Sequence, residues 1–223
     1  MNTERTVTRT HTQTALATNS VLRNTYMLLS MTLLFSAIVA GTTMALGLPY
    51  PGPIITLVGY FGLLFGVEKT KNSGMGLVLV FALTGFMGYT LGPILNLYIH
   101  GFSNGGQMVM LALGGTGALF FGLSGYALVS GRRFNQWAGM LFAGILVAFL
   151  LGLGAIFFHI PALSLAVSAL FVLLMSGLIV FQTGEIIHGG ETNYISATVT
   201  LFVALYNMFL SLLSLLAAFM GND

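Results

Sequence analysis

Glu185 and His188 stand three residues apart, the Glu-x-x-His spacing with which one helix supplies half of a carboxylate di-metal site. The other half needs acidic residues on further helices, and the chain's 5 Asp and Glu do not provide them. Ser124, in Gly122-Leu123-Ser124-Gly125, would become a nucleophile if a base such as His188 took its proton. It falls near the end of its apolar segment, and no evident donors would stabilise an oxyanion there. Lys69 and Lys71 both lie in a loop, so neither can form a Schiff base inside a helical bundle. The chain has no cysteine, which removes disulfides, thiolate metal sites, haem attachment and cysteine nucleophiles together. The expectation is no enzyme, and no cofactor or metal centre.

What these residues sit on is set by composition. Of 223 residues, 57% are hydrophobic and 5% charged, with a mean hydropathy of +0.96. Soluble domains carry about 25% charged residues, so this apolar surplus must face lipid. A net charge of +2 is too small to indicate a nucleic-acid partner.

Seven apolar runs follow one another: Leu22 to Leu46, Ile54 to Val67, Met75 to Ile99, Met108 to Ser130, Trp137 to Phe158, Ala162 to Thr183 and Ile195 to Met220. Each stops at breakers or charges, such as Pro49-Tyr50-Pro51-Gly52-Pro53 and Gly131-Arg132-Arg133. The second run is short against the ~20 residues of a full crossing. Charge decides in its favour. With seven crossings and the amino terminus inside, Arg5, Arg9, Arg23, Lys69, Lys71, Arg132 and Arg133 all lie on the cytoplasmic side. The fold class is therefore an all-α membrane protein, a bundle of seven transmembrane helices over residues 22–220. Residues 221–223 form a short outer carboxyl terminus. Trp137, Tyr26 and Tyr194 near inner ends fit an interfacial aromatic belt. Residues 1–21, polar and Thr-rich, lack the apolar core of a cleaved signal peptide and are expected to form a flexible cytoplasmic tail.

Helices in lipid associate through close backbone approach and a few buried polar groups. Gly59, Gly62 and Gly66 make a small-residue ridge, as do Gly88 and Gly92. On the last run Ser196, Thr200, Asn207, Ser211 and Ser214 share one helical face, with Ala204 in the gap. That face reads either as interhelical glue or as a polar path. Asn207 lies near mid-bilayer and is expected to find partners on neighbouring helices or in water. Gln182 and Glu185 share a face at the inner end of the sixth run, with His188 and Glu191 following in the loop. These five, Gln182, Glu185, His188, Glu191 and Asn207, are the candidates for a polar pathway or a pH-sensing contact.

Three segments carry a resemblance: Thr84-Gly85-Phe86-Met87-Gly88-Tyr89-Thr90-Leu91-Gly92-Pro93-Ile94-Leu95, Glu185-Ile186-Ile187-His188-Gly189-Gly190-Glu191-Thr192-Asn193-Tyr194-Ile195, and Leu205-Tyr206-Asn207-Met208-Phe209. With them the chain resembles the Bax inhibitor 1 family over nearly its whole membrane region. The resemblance implies a seven-helix bundle with the last helix central, surrounded by the other six, in the bacterial inner membrane. It also implies a partner, because bacterial members are clients and modulators of FtsH, the membrane-anchored ATP-dependent protease, which engages a cytosolic amino-terminal tail. Met1 to Ser20, including Arg5 and Arg9, would be that handle, and a client hard to extract would slow degradation of others by competition. The alternative implied by the family is a pH-sensitive calcium leak gated by an acidic pair on the sixth and seventh helices. Gln182 and Ala204 stand where those acids would be, which ranks the leak second.

Overall fold

The computed structural model describes the backbone of residues 3–221 and the side chains of residues 20–134 and 136–221. Among the described residues the chain is all helical. Seven α-helices follow in order: α1 Thr3–Ala45, α2 Pro53–Thr70, α3 Gly74–Gly101, α4 Gly105–Ser130, α5 Ala138–Phe157, α6 Pro161–Ile187 and α7 Tyr194–Met220, with a 3₁₀ turn at Asn135–Trp137 before α5. Six of them contain stretches long and apolar enough to cross a membrane, that of α1 being Ser20–Ala45. The expected tail, residues 1–21 with Met1, Arg5 and Arg9, lies almost wholly outside the residues whose side chains are described.

The helix ends follow from local chemistry. Pro53 opens α2 after Gly52, whose φ of 91° only glycine adopts cheaply. Gly131, left-handed at φ 60°, closes α4. Asn193 caps α7 by accepting from the backbone N–H groups of Ile195 and Ser196. The sixth apolar run extends one turn further than its hydropathy predicts, because α6 continues through Glu185 to Ile187.

Glycines set which helices touch. A Cβ added to Gly92 would lie 2.7 Å from the Ala40 carbonyl oxygen, and one at Gly88 would lie 3.0 Å from Ser36 Oγ. The backbones of α1 and α3 therefore approach without intervening side chains. Both pairs advance together along the chain, so α1 and α3 run parallel. Helix α2 returns the chain between them. It lies antiparallel on α3, with Gly66 facing Leu79 and Gly59 facing the Phe86 ring. Its 18 residues span about 27 Å at 1.5 Å per residue. Glu68 and Lys69 in its last turn keep it out of the group of six. Gly62 has nothing within 4 Å of a would-be Cβ, so the expected ridge reduces to Gly59 and Gly66.

Helix α7 packs directly against α1, α3, α4 and α6, while α5 packs on α6 and α2 on α3. Thr198, Leu201, Ala204, Met208 and Leu213 of α7 are wholly buried. The outward faces of α2, α4 and α5 carry exposed large apolar side chains, among them Val58, Phe121 and Phe142, as lipid contact requires.

Candidate functional site

The segment Glu185–Asn193 forms a clasp at one end of the bundle. Gly189, at φ 74°, reverses the chain after α6, and the N–H groups of Gly190 and Glu191 both donate to the Glu185 carbonyl, at 2.8 and 3.1 Å. The Glu185 carboxylate lies over Gly190, where an added Cβ would lie 2.9 Å from its Cδ, so a larger residue there would push the carboxylate aside. Glu191 Oε1 accepts from the Asn193 N–H at 2.8 Å.

Asn193 then works in two directions. Its Oδ1 caps α7, at 2.9 Å from Ile195 N and 3.1 Å from Ser196 N. Its Nδ2 donates to the Lys71 carbonyl at 3.1 Å and to Asn72 Oδ1 at 2.8 Å, in the turn between α2 and α3. His188 reaches the third loop: Nδ1 lies 2.9 Å from the Gly184 carbonyl oxygen and Nε2 3.3 Å from that of Gly131, at the end of α4. A neutral imidazole carries one N–H and can donate to only one of these two acceptors. The connections α2–α3, α4–α5 and α6–α7 thus meet at the same end, tied through side chains of a single segment.

Lys71 pairs with Glu68 beside this clasp. The Glu68 hydrogen bond, opposed by partial desolvation and aided by the charges of Glu68 and Glu191, holds the Lys71 ammonium above its usual range.

Deeper in the bundle, polar groups gather where α1, α4, α6 and α7 meet. Thr198 Oγ1 has two carbonyl acceptors for its one proton, Tyr194 of its own helix at 2.7 Å and Thr25 of α1 at 3.2 Å. Tyr26, partly buried, turns its hydroxyl to Thr183 Oγ1, at 3.4 Å, and its ring onto Phe120. Gln182 is 6% exposed and its amide nitrogen has no protein partner; the buried Thr25 and Ser124 hydroxyls share that condition.

The sequence-predicted residues divide accordingly. Glu185, His188 and Glu191 belong to the clasp, and Gln182 to the buried polar group. Asn207 belongs to neither: its Nδ2 donates to the Val203 carbonyl of its own helix at 2.8 Å. The α7 stripe also divides, since Ser196 and Thr200 border a cavity beside α2 that Asn207 does not reach. Ser124 gains no base from His188, whose ring nitrogens face two carbonyls. Among the described residues no three His, Asp or Glu side chains converge as a metal-binding group. The sequence reading missed Asn193 as the hub, although an Asn directly before an apolar run is a cap signal. It also missed the buried hydroxyls Thr25, Thr32, Ser36 and Thr43 on α1, whose spacings of seven, four and seven mark one helical face.

A bundle of this length, with a lipid-facing apolar exterior and its polar groups turned inward, defines a polytopic α-helical membrane protein. The family described as "Inhibitor of apoptosis-promoting Bax1" matches residues 18–221, and the chain belongs to that family. It is 52% identical over 214 residues to a protein of Escherichia coli (strain K12) named "Modulator of FtsH protease YccA", covering 96% of this chain and 97% of that one. A protein of Escherichia coli O6:H1 named "Inner membrane protein YccA" matches with the same figures. An uncharacterized membrane protein of Vibrio cholerae serotype O1 is 44% identical over 227 residues, covering 100% of both chains.

Proposed function

We propose that this chain resides in the bacterial inner membrane, amino terminus cytoplasmic and carboxyl terminus periplasmic, where it binds FtsH and modulates it as a competing client without catalysing a reaction. The observation that carries the reading is the near-full-length similarity to a protein named as a modulator of FtsH protease. The clasp supports it physically. Three loops joined through Asn193 and His188 must be separated before any helix pair can be drawn out. Buried α7, in contact with four other helices, would serve as the central element resisting extraction. A slow client occupies the protease.

The positive-inside rule supports the orientation, because Lys71, Arg132 and Arg133 lie in connections that meet at the clasp end, and Lys69 in the last turn of α2 beside them. Residues 1–20 would then be the handle. Deleting them should leave the protein inserted but stable against FtsH; degradation as fast as that of the intact chain would remove the handle from the proposal.

The calcium leak gains less. Ala204 is wholly buried with no titratable group, and Gln182 is an amide, so the two positions offer no carboxylate pair. Reconstituted protein should show weak calcium flux across a pH series. Strong flux abolished by Glu185→Gln would reverse the ranking.

A further inference from the structure

Helix α2 is held against α3, and between it and α7 a cavity of about 560 Å³ opens. That volume is in the range of small-molecule sites, roughly 300–1,000 Å³. Its lining is graded along the helix axes. Phe61, Leu64 and Phe65 of α2 form the apolar part, while Glu68 with Ser196 and Thr200 of α7 make the end nearest the clasp polar. The space persists because α7 presents two short hydroxyl side chains there, and the Thr200 hydroxyl is turned onto the Ser196 carbonyl at 3.1 Å.

Charge at the rim is asymmetric. Glu68 is occupied by Lys71. Lys69 instead lies over the lining ring of Phe65, its Nζ 4.7 Å from the centroid, and among the described residues it has no carboxylate within ion-pair distance. An ammonium at the mouth of an apolar slot, at the depth where helix meets headgroup, is complementary to a phosphodiester attached to a hydrocarbon chain.

We propose that this cavity is a binding site for an anionic glycerophospholipid, with one acyl chain along Phe61, Leu64 and Phe65 and the phosphodiester at Lys69. The extent of the slot favours a chain over a transmembrane helix. A helix about 10 Å wide needs a groove along the full height of the bundle, and this lining begins at Phe61, midway along α2. The site uses only the membrane setting, so it stands or falls apart from the protease reading.

The test uses full-length protein in nanodiscs of phosphatidylethanolamine carrying phosphatidylglycerol with a diazirine in its acyl chain. Illumination should label the Phe61–Glu68 and Ser196–Thr200 segments, identified by peptide mass spectrometry. Thr200→Phe and, independently, Ser196→Phe should fill the slot and abolish that label, while Val147→Phe on the lipid face of α5 leaves it intact. Lys69→Gln should reduce labelling by phosphatidylglycerol and leave that by a phosphatidylcholine analogue unchanged. Excess inorganic phosphate should not compete. Absence of label from both segments, label unaffected by either filling variant in a protein that remains folded, or equal labelling after Lys69→Gln would overturn the proposal. So would loss of a co-purifying protein in the filling variants with lipid labelling intact, since the occupant would then be a partner helix.

Discussion

Asn193 illustrates how much one amide can hold when both of its ends are used. Its oxygen satisfies two otherwise orphaned N–H groups at the start of α7, and its nitrogen reaches across to Lys71 and Asn72. Asn193→Ala removes cap and crosslink together and should cost about 1–2 kcal/mol of stability, read as a lowered unfolding midpoint in detergent. Asn193→Asp keeps the cap but loses the donor, and should fall between the two. His188→Ala frees Gly131, so trypsin should cut faster at the exposed Arg132 and Arg133; an unchanged rate would remove His188 from the clasp. The raised Lys71 works in the opposite sense from a depressed carboxylate. Its pairing contributes fully below the unfolded-state value and fades only as pH rises through the higher folded one. Thermal stability of the wild type relative to Lys71→Met should therefore be constant near neutral pH and converge only in strong alkali. At this scale the sequence pointed to Glu185, His188 and Glu191 as a group, but as chemistry and not as joinery. Partners lying 57 or 122 residues away leave no trace in local spacing.

At the scale of elements, a helix lies on each of the seven apolar runs, although α1 begins at Thr3, well before the Leu22 that hydropathy marks. Which helix meets which is carried by a few glycines. Gly92→Leu drives a side chain into the Ala40 carbonyl and should destabilise the α1–α3 pair by about 1–3 kcal/mol, whereas Gly62→Ala meets open space and should be close to neutral. Equal effects of the two, measured by thermal unfolding in one detergent, would contradict the packing described. Spacing alone could not separate Gly62 from Gly59 and Gly66, because three residues on one ridge become unequal only when a neighbour is known. Asn207 was illegible for a similar reason: a mid-helix amide can donate to the turn before it as well as to a neighbour, and the sequence does not say which partner its Nδ2 takes.

For the whole molecule, the parallel course of α1 and α3 means that the short α2 must return the chain along the bundle. The three even-numbered helices then end at one face, where the clasp ties their connections together. Such a bundle is tied by directional bonds at the clasp and, at the opposite end, from Asn104 to the Met220 carbonyl, with close packing between, which suits a client that a processive protease releases slowly. The most direct measurement is the rate at which FtsH, reconstituted in proteoliposomes, degrades a second membrane substrate as this chain is titrated in. The account predicts a progressive slowing that is lost when residues 1–20 are removed. A rate independent of the added chain, with FtsH active and the chain correctly inserted, would contradict it.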